Sequence, residues 1–102
     1  NDENANESIK YTVRFATRND NVSRNLTKNT TGVVTVEIAN RSPLTNLLSI
    51  NDIIIEVQKN PVKNSIDLDK LVDGIFKKGE KTLLLTIINN NNRRRYLGVK
   101  IN

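Results

Sequence analysis

The order of hydrophobic and polar positions along the chain predicts about five strands. Strict alternation at Ile9–Phe15 is typical of a strand with one buried face, and a second strand is predicted at Val33–Ile38. In the second segment, the residues predicted to face inward are Val34, Val36 and Ile38, and those predicted to face outward are Thr35 and Glu37. A continuous apolar run indicates instead a strand that is covered on both faces. A nearly continuous run, interrupted by Glu56, predicts such a strand at Ile53–Val57, and two further strands are predicted at Leu83–Ile88 and Arg94–Ile101.

One segment has the period of an amphipathic helix. Its apolar residues recur at i, i+3, i+4 and i+7, and they are Leu68, Leu71, Val72 and Ile75. This spacing predicts a helix over Ser65–Phe76, with Ser65 as its N-cap and Gly79 beyond its end. A short helical turn, capped by Asp20 and extending to Leu26, is also predicted. Strands before and after the main helix indicate a small α+β domain.

The amino-acid composition excludes several kinds of catalytic and metal-binding site. The chain has 102 residues, enough for one small domain with a hydrophobic core, and it contains no histidine and no cysteine. Disulfides, thiolate or imidazole metal sites, cysteine nucleophiles and Ser-His-Asp arrangements are therefore excluded. The acidic residues Asp67, Asp69 and Asp73 are spaced at i, i+2 and i+6, so they do not converge as an acid–base pair. We predict no catalytic residue, no metal site and no cofactor.

The net charge of +5 is concentrated in the C-terminal third, at Arg93–Arg95, Lys77, Lys78 and Lys81. These charges fit an exposed strand edge that discourages edge-to-edge pairing, contact with an acidic protein surface, or nucleic-acid binding. Only four aromatic residues are present, and they form none of the aromatic–basic–glycine signatures of RNA-binding sheets. The pattern favours no nucleic-acid partner. No apolar run is long enough to span a membrane.

The first residues are polar and acidic, without the basic start and apolar run of a signal peptide. We therefore predict a linker over residues 1–8 and a domain over residues 9–102.

Three motifs in the middle of the chain resemble the second half of a PDZ domain. They are Ser42-Pro43-Leu44, Asn51-Asp52-Ile53-Ile54-Ile55-Glu56-Val57 and Asn60-Pro61-Val62-Lys63, followed by a helix at Ser65–Val72 and a strand at Thr82–Ile88. Asn51 stands where the family usually has glycine, and asparagine tolerates the positive φ of that turn better than other non-glycine residues. We expect the same conformation at Asn60, before Pro61.

From roughly Ile9 to Ile101, the sequence resembles the second, C-terminal PDZ domain of Do-like (HtrA) serine proteases. The resemblance implies a PDZ-like, partly open β-barrel of about five strands with one main helix and one short helix. It also implies a periplasmic location, a homo-oligomeric parent protease and partners that are peptides or proteins, either other protease domains or unfolded substrates. Neither nucleic acid nor membrane is among the partners that it implies.

In such domains a partner peptide adds as a strand in a groove between a sheet edge and the main helix. The resemblance places the peptide-binding residues at Ile9, Lys10, Tyr11, Thr12, Val13, Arg14, Ser65, Asp69 and Val72. The segment before this strand lacks the glycine with which family members bind a peptide carboxylate, although Lys10 could supply attraction. This favours contacts between protomers over capture of C-terminal peptides, and both remain open. The alternative function is a free-standing basic adaptor that binds RNA or anionic surfaces, which salt dependence would distinguish.

Overall fold

The computed structural model describes residues 4–6, 11–15, 18–27 and 30–101. Its elements are β1 (Asn4–Asn6), β2 (Tyr11–Phe15), α1 (Arg18–Ser23), β3 (Val33–Ile38), β4 (Ile53–Val57), β5 (Asn60–Pro61), α2 (Ser65–Lys77), β6 (Thr82–Ile88) and β7 (Arg94–Lys100). The predicted α+β class, with one long and one short helix, is confirmed. The described ranges contain seven strands rather than about five, because the short strands β1 and β5 were not predicted.

The strands form one open antiparallel sheet in the order β1-β2-β3-β4-β6-β7, and β5 pairs with β4 beside this path. β1 and β7 therefore lie at its two ends. The longer helix α2 connects the β4–β5 hairpin to β6 and packs against β2 and β4. The end of the sheet that contains β2 therefore lies beside α2, whereas β7, at the other end, is separated from β4 by β6.

The core lies between α2 and one face of the sheet. Its buried side chains include Tyr11 from β2, Val33 from β3, Ile54 and Val57 from β4, Leu68, Val72 and Ile75 from α2, and Leu83, Leu85 and Ile87 from β6. The predicted burial of Ile54 is confirmed, since its side chain is fully buried. Leu71 is only half-buried and packs at the margin of this cluster.

The predicted orientation of β3 is right for most of its residues but wrong for Thr35, and the strand contains a bulge. Thr12 of β2 pairs with Glu37 and Val13 pairs with Thr35, which leaves Val36 as an extra residue without an opposite partner. One extra residue reverses the alternation of side chains along the strand. Val34 is buried and the half-buried Ile38 packs against the core, as predicted, whereas Thr35, predicted to face outward, is buried and Val36 is only half-buried. Glu37 is exposed, as predicted.

Asn51 has a φ of 77°, so its predicted positive φ is confirmed. The same prediction for Asn60 is wrong, because the two residues before it make the turn between β4 and β5. These residues are Gln58, with a φ of 49°, and Lys59, with a φ of 64°. Val57 pairs with Asn60 across this two-residue turn, and paired positive φ angles match the twist of a tight hairpin. Asn60 is thereby placed in a strand and needs no left-handed conformation.

The helix boundaries differ slightly from those predicted. The N-cap of α2 is Asn64 and not Ser65, since the Asn64 Oδ1 accepts a hydrogen bond from the Asp67 backbone N–H at 2.9 Å. Gly79 follows the helix with a φ of 72°, as its predicted place beyond the end of the helix requires. The short helix α1 begins at Arg18, so Asp20 lies in its first turn and does not cap it.

Candidate functional site

The structure brings together the strand and the helix that were predicted to border a groove. Tyr11 of β2 lies in the same buried cluster as Leu68 and Val72 of α2. Because Tyr11 begins β2, its side chain fixes the start of this strand against the middle of the helix. β2 and α2 therefore form a continuous packed unit near one end of the sheet.

The predicted site residues have different positions in this unit. Tyr11 and Val72 are buried, Thr12, Ser65 and Asp69 are half-buried, Val13 and Arg14 contribute backbone to β2, and Ile9 and Lys10 lie outside the described residues. The side chains of Val13 and Arg14 also lie outside the described part of the structure. Tyr11 and Val72 form the buried wall of the unit, and Ser65 and Asp69 of α2 are partly accessible beside it. Thr12 follows Tyr11 in β2, so its side chain lies on the opposite face of the sheet.

The edge of β2 is paired with the chain's own β1. Asn4 lies opposite Val13, Ala5 opposite Thr12 and Asn6 opposite Tyr11, in antiparallel register. These three residues fall within the segment predicted to be a linker. Sequence reasoning missed this strand because Asn-Ala-Asn has no apolar alternation, and its pairing depends on backbone groups that every residue possesses.

The Tyr11 hydroxyl is an unusual feature of the β2–α2 contact. The side chain is 2% exposed, and no hydrogen-bond partner for its hydroxyl is found in the described ranges. Burial raises the pKa of Tyr11 far above its ordinary value, and the negative charges of Asp69 and Asp73 on α2 raise it further. The phenol is therefore neutral, and it retains an unused donor in a place where burying such a donor is unfavourable.

A second polar region lies among three loops. The Arg24 guanidinium donates to the backbone oxygens of Asn51 and, at 3.0 Å, Asn89. The Asn92 side-chain amide donates in turn to the Arg24 backbone oxygen, and the Asn90 amide donates to that of Ile50 at 3.2 Å. These bonds join the end of α1, the turn before β4 and the turn between β6 and β7.

Asp52 lies at the centre of this region and is 3% exposed. Its Oδ2 accepts a hydrogen bond from the Ser49 backbone N–H at 2.8 Å. Burial raises the pKa of the Asp52 carboxyl, although the Ser49 N–H, Arg24 and Arg95 oppose this shift. A neighbouring pocket of about 420 Å³ is lined by Asn46, Leu47, Ser49, Asp52, Ile87, Asn89, Asn90, Asn91, Arg95 and Leu97. None of these lining residues belongs to β2 or α2.

Within the described ranges, the structure contains no group of three or more acidic, histidine or cysteine side chains that could hold a metal ion. Asp52 is the one carboxyl among the described residues that line the pocket, where it lies with Arg95 and several asparagines. No helix among the described residues is long and apolar enough to cross a membrane.

The chain matches no protein-family model and no curated protein.

Proposed function

We propose that this chain is a non-catalytic, PDZ-like module of a Do-like periplasmic serine protease, and that it binds a partner segment along β2, beside α2. The partner is either a peptide or an extended segment of another protease domain. The proposal combines the sequence motifs around Ser42, Asn51 and Asn60 with the position of one sheet edge next to the main helix.

The observation that carries the proposal is the pairing of β1 with β2. It demonstrates that this edge takes an antiparallel strand, the geometry that strand addition requires. β1 has only three residues, and a short hairpin contributes little stability of its own in water. A partner segment would displace β1 and add side-chain contacts that Asn-Ala-Asn cannot make. The accessible residues beside it would be Thr12, Ser65 and Asp69.

The sequence before β2 favours segments held by their backbone over segments held by a terminal carboxylate. Residues 7–10 are Glu-Ser-Ile-Lys, without the glycine that lets backbone N–H groups converge on an anion. An internal segment of a neighbouring protomer needs no such loop, because its hydrogen bonds run along the strand. Assembly within the parent protease is therefore the form of this function that we favour.

The test is an NMR titration of the full chain, and of a chain that begins at Glu7, with a short apolar peptide. The peptide is used with a free C-terminal carboxylate and as the C-terminal amide. We expect shifts in the amides of Tyr11–Phe15 together with Asp69 and Val72, tighter binding to the shortened chain, and little effect of amidation.

Shifts confined to Arg93–Arg95 and Lys77–Lys81 would contradict the proposal, as would the absence of binding to both chains. Equal binding to both chains at Tyr11–Phe15 would leave the site in place but show that β1 does not compete for it.

A further inference from the structure

The outer edge of β7 is the second place where the sheet ends. Asn89 N–H donates to the Arg93 carbonyl at 2.9 Å, and Ile101 N–H donates to the Lys81 carbonyl at 3.0 Å. The register between these two bonds is continuous, without a bulge. Because hydrogen-bonded and non-bonded pairs alternate in an antiparallel ladder, Arg95, Leu97 and Val99 turn their backbone groups toward β6.

The intervening residues consequently turn their backbone groups away from the sheet. They are Arg94, Tyr96, Gly98 and Lys100, and each presents an N–H and a C=O along the outer edge. No described strand pairs with this edge. These four residues are also exposed, and a Cβ built on Gly98 would meet no atom within 4 Å, so another backbone could approach there.

The edge is strongly basic. β7 contains Arg94, Arg95 and Lys100 but no acidic residue, and Arg93 directly precedes it. Arg94 lies 3.4 Å from Glu56, yet 54% of its side chain is exposed, so this ion pair does not bury its charge. Tyr96 is 59% exposed on the same face, and an exposed tyrosine is a frequent anchor in protein interfaces.

We propose that the outer edge of β7 binds an extended acidic segment of a partner protein by strand addition. The unpaired N–H and C=O groups would complete a ladder with the added strand. Its acidic side chains would lie on the face of Arg94 and Lys100, and the intervening apolar side chains on the face of Leu97, which is half-buried. This interaction is separate from the one proposed for β2, since the two edges are at opposite ends of the sheet.

Basic residues on an edge strand also prevent a protein from pairing with copies of itself. The same charges have opposite effects on two kinds of strand. They repel a second β7, which carries the same positive charge, and they attract a strand of negative charge. If the basic residues served only to prevent strand pairing, no added strand would bind to β7. Our proposal predicts instead that a strand binds and that its binding depends on acidic side chains.

The experiment titrates the full chain with a short peptide of alternating glutamate and valine, and with the matched peptide of glutamine and valine. We expect the acidic peptide to bind and the glutamine peptide to bind at least about tenfold more weakly, because its charge-assisted contacts are lost. Amide hydrogen exchange should slow at Arg94, Tyr96, Gly98 and Lys100. The amides of Arg95, Leu97 and Val99 should already be protected without peptide.

A pair of double variants with equal charge loss tests the location. Arg94→Gln with Lys100→Gln should weaken acidic-peptide binding about tenfold, while Lys77→Gln with Lys78→Gln, at the exposed end of α2, should change it less than about twofold. Equal losses in both variants, equal binding of both peptides, or no binding would overturn the proposal. It would also be overturned if a uridine oligonucleotide bound more tightly than the peptide and shifted Arg93–Arg95 and Lys77–Lys81 together.

Discussion

The strand at each end of a sheet has backbone groups that could pair with another chain. The two ends of this sheet differ in how those groups are covered. At one end, β2 lies beside α2, and its edge is paired with the three residues of β1. At the other end, four of the seven residues of β7 turn their backbone groups outward, where no described strand pairs with them, and the strand carries three basic side chains and no acidic one. One edge is covered by a segment of the chain, and the other carries basic side chains of the kind that discourage a strand from pairing with its own copies.

The difference suggests how selectivity can arise at each edge. We expect a strand that joins β2 to replace β1 and to lie beside Thr12 on one face of the sheet and beside Ser65 and Asp69 of α2 on the other. A strand that joins β7 displaces no described strand, but it must bring negative charge to offset Arg94 and Lys100. Backbone pairing is common to both edges, so the surrounding side chains decide which partner each edge accepts.

The largest expected effect comes from the strand between the two ends. Ile54 of β4 is fully buried and lies opposite Val33 of β3 and Ile87 of β6, so it links both halves of the sheet. Ile54→Ala should lower the free energy of unfolding by about 2–5 kcal/mol. Ile50→Ala, at a position that is 55% exposed, is the matched control and should change it by less than about 0.5 kcal/mol. Similar values from urea unfolding of the two variants would show that the halves are not joined through this core.

A smaller change in stability should distinguish the β7 amides that face β6 from those that face outward. Leu97→Pro removes an N–H that faces β6, whereas Gly98→Pro removes one that faces outward, where proline is tolerated. Relative to Leu97→Ala, which controls for the lost side chain, Leu97→Pro should cost a further 1–3 kcal/mol, roughly that of an unsatisfied buried group. Gly98→Pro should remain close to the unmodified chain in thermal unfolding. Equal costs for the two prolines would refute the assigned register.

The smallest effect concerns Tyr11 at the β2–α2 end. Tyr11→Phe keeps the buried ring and removes a hydroxyl without a described partner, so stability at neutral pH should be unchanged or higher by up to about 1 kcal/mol. The raised pKa predicts a second difference. Above the ordinary value of 10.0, the unfolded state releases the phenol proton while the folded state retains it, so stability falls as pH rises.

Tyr11→Phe should therefore lose less stability above pH 10 than the unmodified chain does. The exposed Tyr96→Phe is the control and should follow the unmodified chain more closely. If denaturant unfolding showed that Tyr11→Phe is destabilised by more than about 1 kcal/mol, the hydroxyl must have an acceptor in the folded protein.

Local sequence signals predicted much of this architecture. The stripe from Leu68 to Ile75 predicted α2, because helical periodicity reflects burial of one face. The positive φ of Asn51 followed from the conformational tolerance of asparagine. The burial of Thr35 in β3 was not predictable in the same way, since the bulge at Val36 arises from the register of this strand with β2.

For the candidate site, the contact between β2 and α2 followed from the PDZ resemblance and not from periodicity. Three features had no signal in the sequence: the pairing of Asn4–Asn6 with β2, the unsatisfied Tyr11 hydroxyl and the burial of Asp52. Each depends on residues that are distant along the chain and come together only in the folded sheet. Polar side chains in turns or tails have no period from which such proximity could be inferred.

One edge of the sheet is covered by β1, and no described strand covers the other. Amide hydrogen exchange, followed by NMR in the full chain and in a chain that begins at Glu7, tests this arrangement most directly. We predict that removing β1 speeds exchange at the amides of Tyr11–Val13 that point away from β3. In both chains, Arg94, Tyr96, Gly98 and Lys100 should exchange quickly, and Arg95, Leu97 and Val99 slowly. Unchanged exchange at Tyr11–Val13, or uniform protection along β7, would contradict the account.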